Sequence, residues 1–239
     1  VYIGGRSRTS LDMNALLKAP NPILAVAQNY LATNISRFFN LRGPSVVVDT
    51  GCSSAITGML FASDALRSNR IDMAMVGGVS LLITPDAHRL FAERQILSQT
   101  GEFRIFDQRS TGEVLGEGAG MVILKRLSDA IADGNQIYGV IKAISMNNDG
   151  RTLGPGSPNI RAQKQVMTDA LASSGIRPEN VGYIEVNGGG SPVVDAVEIK
   201  ALSDVYRLDD SNLRPCYVGS VKPNVGHLLL ASGLAGFIR

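Results

Sequence analysis

The sequence predicts a mixed α/β fold, and three observations carry that prediction. Short β-rich runs alternate along the chain with segments of helical periodicity, the arrangement of layered α/β proteins. Apolar residues make up 44% of the 239 positions, enough for a sizeable core. Turns rich in Gly, Ser, Asn and Pro stand where strand gives way to helix, while no low-complexity run or Pro/Gly-rich linker divides the chain. It therefore reads as one compact unit.

The elements follow in order. "SVVVD" (Ser45–Asp49) is a buried strand, and "SSAITGMLFASDALRSN" places Ile56, Met59, Leu60, Ser63 and Leu66 at helical spacing. "DMAMVGG" is the next strand. "AGMVILKRL" and "IYGVIKAISMN" are two more, separated by the short helix "SDAIADG" with Gly134 as its stop. In "SPNIRAQKQVMTDALASSG" Ser157 is expected as N-cap, Pro158 as first helical residue and Gly175 just past the end. Strand "VGYIEV", helix "VDAVEIKALSDVY", strand "CYVGSVK" and a final helix from about His227 complete the series.

Charge and cysteine content exclude several classes. Lys plus Arg number 23 against 21 Asp plus Glu, with no long run of like charge, so no nucleic-acid footprint is expected. Two cysteines do not make a disulfide framework, which points to a cytoplasmic setting. No stretch reaches the ~18 apolar residues of a membrane span. The chain starts without Met or a signal peptide, and Arg239 closes an apolar helix in mid-pattern; it reads as a piece of something longer.

The chemistry concentrates at three junctions. "VVVDTGCSSA" sets Cys52 in a tight turn between a strand and a helix N-terminus. There the helix dipole favours a thiolate, and the N–H groups can cradle an oxyanion. A buried small hydrophobe is the alternative reading of the same cysteine. Cys216, opening an apolar strand, reads as core. A cysteine nucleophile wants a histidine, and the chain has two. His88, among polar helical residues, reads as surface. His227, in "GSVKPNVGHLLLASG", stands after a strand expected to end at Lys222 and at the mouth of an apolar helix. The third junction, "IEVNGGGSPVVD", runs from strand through Asn187 and three glycines into a helix. It lacks the Lys-Ser/Thr of a phosphate loop, so no phosphate site is read there.

"VVVDTGCSSA" and "SVKPNVGH" resemble the β-ketoacyl synthase family, the condensing enzymes of fatty-acid and polyketide assembly. "ISRFFNLRGPSVVVDT", "MVGGVSLLITP", "FRIFDQRSTGEVLGEGAGMVILKRLSDAIADG" and "NNDGRTLGPGSPN" are similar to ketosynthase domains of modular polyketide synthases. The resemblance covers essentially the whole chain. It implies a thiolase-like layered α-β-α-β-α fold, of which this chain is a central fragment with both ends missing. It also implies a homodimer, pairing through "GPSVVVDT", and partnership with acyl carrier proteins. No cofactor or metal is implied; the substrates ride on the carrier's phosphopantetheine.

In condensing members the third junction reads Glu-Ala-His-Gly-Thr-Gly-Thr-Pro. Glu185, Gly188, Gly190 and Pro192 match, and Asp195 and Glu198 fall where the family has acids. The family histidine falls on Asn187, and its threonines on Gly189 and Ser191. Gly51 replaces a usual alanine and Pro223 a usual threonine. Cys52, Asn187 and His227 are expected to converge on one cavity with Lys222 behind them, where it can hold an acid or tune the charge.

Two chemical stages separate on this basis. Acyl transfer to Cys52 needs a nucleophile and an oxyanion hole. Decarboxylation of a malonyl thioester then needs charge stabilisation, which two flanking histidines supply in the family. An asparagine donates a neutral hydrogen bond but no proton and no positive charge. The glycine exchanges beside it are expected to loosen the turn. The chain thus reads as an acyltransferase that loads and passes on an acyl chain without condensation. A fully condensing synthase, in which Asn187 and His227 suffice, and a silent dimer or docking partner are the alternatives.

Overall fold

A computed structural model of the chain describes residues 1–7, 13–18, 20–154, 156–206 and 214–239. Pro155, part of the "NNDGRTLGPGSPN" motif, lies outside them. The first half runs β1 (Tyr2–Gly4), α1 (Met13–Leu17), α2 (Pro22–Val26), α3 (Tyr30–Phe38), β2 (Val46–Val48), α4 (Ser54–Arg67), β3 (Met73–Ser80) and α5 (Asp86–Glu93). Then come β4 (Gly118–Lys125), α6 (Leu127–Ala132), α7 (Ile160–Ser174), β5 (Tyr183–Glu185), α8 (Pro192–Tyr206), β6 (Tyr217–Gly219), α9 (Lys222–Val225) and α10 (Ser232–Ile238). Among the described residues no helix is long and apolar enough to cross a membrane.

Where the sequence reads as one compact unit, the structure has two. The first holds residues 1–87, 116–138 and 228–238; the second holds 88–115, 139–227 and Arg239. The chain passes from one to the other without a Pro/Gly-rich linker, so composition leaves no mark at the boundary.

The first unit is built on a four-stranded sheet of order β2-β1-β3-β4. β1 is parallel to both neighbours, with Ile3 opposite Val47 and Gly77, while β3 and β4 run antiparallel over eight pairs. Because β1 is central, both of its faces are covered, and Val1, Tyr2 and Ile3 are all buried. Val1 and Ile3 pack with Ala32, Leu31 and Ile35 of the α3 segment, together with Val47, Met75 and Val79. The alternate residues, Tyr2 and Gly4, face α4. Helix α4 buries Ala55, Met59, Ala62 and Leu66, a stripe at helical spacing, and Arg67 in its last turn complements the negative end of the dipole.

The expected strand "IYGVIKAISMN" does not form: residues 135–150 carry no regular element. An isolated strand is marginal without a neighbouring ladder. Tyr138 here is 92% exposed and Val140 half exposed, so the apolar residues that read as strand are only partly covered.

The second unit carries the parallel pair β5–β6, registered Tyr183 to Tyr217 and Glu185 to Gly219, with α7 packed on α8. Helix α7 is capped by Asn159 rather than Ser157. The Asn159 side chain accepts from the N–H groups of Arg161 and Ala162, and the Ser157 and Pro158 positions lie outside. Gly175 ends α7 at φ 68°. The expected "CYVGSVK" strand stops at Gly219 because Lys222–Val225 is already helical, with Pro223 in the first turn, where its missing N–H does no harm. His227 follows α9 and does not open the last helix; a 3₁₀ turn, Leu229–Ala231, precedes α10.

Candidate functional site

Strand β2 ends at Val48, and the chain turns through residues 49–53 into α4. Cys52 stands immediately before the N-cap residue, Ser53, and is exposed. Ser53 makes no side-chain capping bond to the helix. Hydroxyls brace the turn instead. The Ser54 Oγ accepts from the Thr50 N–H at 2.9 Å and donates to the Gly51 carbonyl at 2.5 Å. Thr50 Oγ1 lies 3.0 Å from Ser53 Oγ and 2.9 Å from Thr57 Oγ1. Gly51 sits at φ 66°, in the left-handed region, and donates its N–H to Asp49 Oδ1 at 3.2 Å. That conformation suits glycine better than the family's alanine. The arrangement presents a thiol at the positive end of a fourteen-residue helix, where a thiolate is favoured.

In the second unit Asn187 and Lys222 follow the carboxyl ends of two adjacent parallel strands, the usual address of an α/β site. The Lys222 ammonium donates to Asn187 Oδ1 at 2.8 Å. This commits the amide's carbonyl oxygen and leaves its NH₂ as a donor. Lys222 is itself buried.

The glycine turn is clamped, contrary to the expected loosening. The Glu198 carboxylate accepts the N–H of Asn187 through one oxygen and the N–H of Gly188 through the other, each at 2.8 Å. Asp195, one turn earlier on α8, accepts the Phe106 N–H at 2.8 Å. Glu185 accepts the Val221 N–H at 2.5 Å and thereby ties β5 to the loop that carries Lys222. Gly188, Gly189 and Gly190 are all buried. Burial pushes the Glu198 carboxyl up, as does the Asp195 charge. The N–H groups of Gly188 and Asn187, and the Lys222 ammonium, pull it back. A Cβ at position 189 would lie 3.6 Å from Asp195 Oδ1, a buried oxygen with no hydrogen-bond partner among the described residues. Glycine there withholds the hydroxyl that a threonine would bring to that oxygen.

His227 is 4% exposed and is fixed at both backbone and ring. Its N–H donates to the Val114 carbonyl at 2.7 Å, and Nδ1 lies 2.7 Å from Glu113 Oε2. Gly226, at φ 78°, ends α9 and sets the direction in which the ring leaves.

Asn187 and Lys222 are thus brought into direct contact, His227 is buried in the same unit, and Cys52 is placed in the first unit. His88 is on the surface, as read from the sequence. Cys216 is half-buried and precedes β6, so it is less enclosed than a core residue; burial raises its thiol pKa. Glu113 escaped sequence reasoning: it lies inside a quoted motif, but nothing there singles out that acid. The supporting roles of Asp195 and Glu198 had a signal: two acids at i and i+3 in the first turns of an otherwise apolar helix. Among the described residues no cluster of His, Cys, Asp and Glu is suited to a metal ion.

Known proteins resemble this chain along its whole length. The β-ketoacyl synthase N-terminal domain matches residues 1–130, and the C-terminal domain of the same family matches residues 138–239. Polyketide synthase PksL of Bacillus subtilis is 54% identical over all of this chain, and polyketide synthase ThaG of Burkholderia thailandensis is 42% identical over 90% of it. The chain spans only 5% and 4% of those two proteins. Among solved structures, the ketosynthase from module 6 of the Bacillus subtilis bacillaene synthase superposes with TM-score 0.86 at 40% identity, covering 90% of this chain and 39% of that one. The oxazolomycin ketosynthase domain OzmH KS7 of Streptomyces albus gives 0.88 at 33% identity, covering 99% and 41%. The fold is the thiolase-like fold of these ketosynthases, and the chain belongs to the β-ketoacyl synthase family.

Proposed function

We propose that this ketosynthase loads an acyl chain from a carrier protein onto Cys52 and passes it on without decarboxylative condensation. The observation that carries the reading is the second residue after β5, Asn187, whose carbonyl oxygen is held by the Lys222 ammonium. Acyl transfer asks for a nucleophile and donors to a transient oxyanion, and the Cys52 turn offers an exposed thiol at a helix N-terminus. Loss of carbon dioxide from a malonyl thioester leaves an enolate, which a cationic or acidic donor stabilises best. Asn187 offers a neutral amide there. Losing one preorganised donor of this kind costs about 3–4 kcal/mol, or about 10²–10³ in rate.

The partners in this reading are acyl carrier proteins, which present the substrate on phosphopantetheine, and a second copy of the chain. β2 lies at the edge of the first unit's sheet, the position from which a strand can pair across a two-fold axis.

Intact mass spectrometry of the full-length protein tests the proposal. Offered an acyl-pantetheine thioester, the protein should gain the acyl mass at Cys52 and yield it to a carrier thiol. Offered malonyl carrier protein next, it should release no carbon dioxide and form no extended product. An acyl-enzyme that condenses at a normal rate with Asn187 in place overturns the reading in favour of a complete synthase; absence of any acyl-enzyme leaves only the silent partner.

A further inference from the structure

Glu113 has no place in the proposed function as stated so far. Its carboxylate is largely enclosed, with a side chain 15% exposed, and it meets a His227 side chain that is 5% exposed. The backbone of residue 113 is locked on both sides: its N–H donates to the Ile96 carbonyl at 2.8 Å, and its carbonyl accepts the Ser98 N–H at 2.7 Å. The neighbouring Val114 carbonyl takes the His227 N–H. The carboxylate is therefore delivered to the ring by a rigid segment.

We propose that Glu113 is a positioning residue that makes His227 the proton carrier of acyl transfer. The carboxylate is acceptor-only when ionised, so Nδ1 must carry a hydrogen and donate it. Nε2 is then the nitrogen that exchanges protons. With Nε2 protonated the ring is a cation held against an anion in an enclosed setting, which favours the charged form. The other charged group on His227's own segment is Lys222, whose ammonium is engaged by Asn187; Ile96, Leu97 and Ser98, which back Glu113, do not titrate. Glu198 and Asp195 hold loop N–H groups on α8.

Resting on the acyl-transfer reading, the step balances as follows. The Cys52 thiolate forms its bond to the acyl carbon, the carbon–sulfur bond to pantetheine breaks, and the departing sulfur takes the proton from Nε2. A thiolate, an imidazolium and a thioester become a new thioester, a thiol and a neutral imidazole. Unloading reverses each transfer. Asn187 cannot change charge, whereas the His227 ring held by Glu113 can.

Labelling with [13Cε1]-histidine follows the His227 resonance, assigned by its loss in His227→Gln, and exposed His88 serves as an internal control. Glu113→Gln keeps the shape and removes the charge. The titration midpoint of His227 should fall by about one to two pH units, consistent with the usual effect of an adjacent carboxylate, while His88 stays put. Glu113→Asp should recover part of the shift. The pH at which acyl-Cys52 formation is half-maximal should move in the same direction. An unmoved His227 midpoint in Glu113→Gln overturns the proposal, whatever the acylation assay shows. Failure of the unmodified protein to acylate Cys52 overturns the acyl-transfer reading instead and leaves the histidine titration standing on its own.

Discussion

The turn at Cys52 and the turn at Asn187 both carry the chain from a strand into a helix through glycine, yet they are held by opposite means. At Cys52 the bracing groups are mostly hydroxyls, Thr50, Ser53, Ser54 and Thr57, with the exposed Asp49 bond to Gly51, and the space beside Gly51 is open. At Asn187 the bracing group is a buried carboxylate from the following helix, and the glycines are packed against Ile105 and Phe103. The first turn exposes a side chain; the second immobilises a backbone. A nucleophile needs access and a polarising helix end, whereas a stabilising donor needs fixed placement, and each turn meets one of these needs.

The contrast can be broken most severely at the thiol. Cys52→Ala should abolish the covalent acyl species altogether while leaving the thermal midpoint within a few degrees, as read by intact mass and calorimetry; uptake of acyl mass by this variant would refute the nucleophile.

Next in size is Glu198. Glu198→Ala leaves the Asn187 and Gly188 N–H groups buried without their acceptor and should cost about 3 kcal/mol in urea unfolding. The folded carboxyl is raised above its ordinary value of 4.5, so the folded chain holds this proton more tightly than the unfolded chain. Its contribution to stability is therefore complete below pH 4.5 and is lost as pH rises through the raised folded value. Glu198→Gln should flatten the stability profile across that interval. A profile unchanged by Glu198→Gln would show that the group does not titrate there.

The smallest effects compare the glycines themselves. Gly190 and Gly51 share a left-handed φ, 64° and 66°, but a Cβ at 190 would meet the Gly112 carbonyl oxygen at 2.8 Å, whereas one at 51 meets nothing within 4 Å. Gly190→Ala should cost about 2 kcal/mol, strain plus overlap, and Gly51→Ala only about 1 kcal/mol. Equal losses in denaturant titrations would mean that the two turns are not held differently after all.

Much of this was legible in the chain. The β2–turn–α4 run gives itself away because an apolar triplet, a glycine and a helical stripe follow one another within about a dozen residues, each satisfying its own period. Asn187 stood out because Glu185, Gly188, Gly190 and Pro192 around it keep the motif. The carboxylate clamps were less legible: Glu198 reaches backbone N–H groups ten and eleven residues away, a link that local periodicity does not encode. Glu113 lies 114 positions from His227, and nothing in either neighbourhood announces the other. The missing strand at 135–150 failed for a related reason, since a strand depends on neighbours that its own sequence does not name.

Gly4 belongs to no motif, yet it sets a mechanical clearance for the chemistry. A methyl group there would come within 2.7 Å of the Ala55 Cα and the Ser54 carbonyl carbon, the first turn of the helix that Cys52 precedes. Backbone atoms do not swing aside as a flexible side chain can, so the strand and the helix end would have to part. A misplacement of about 1 Å at a reacting group can cost about a hundredfold in rate. The reach of the thiol is thus gauged by the one hydrogen atom that glycine carries in place of a side chain, on a strand far away in sequence, and the fold could survive a change there that the reaction would not.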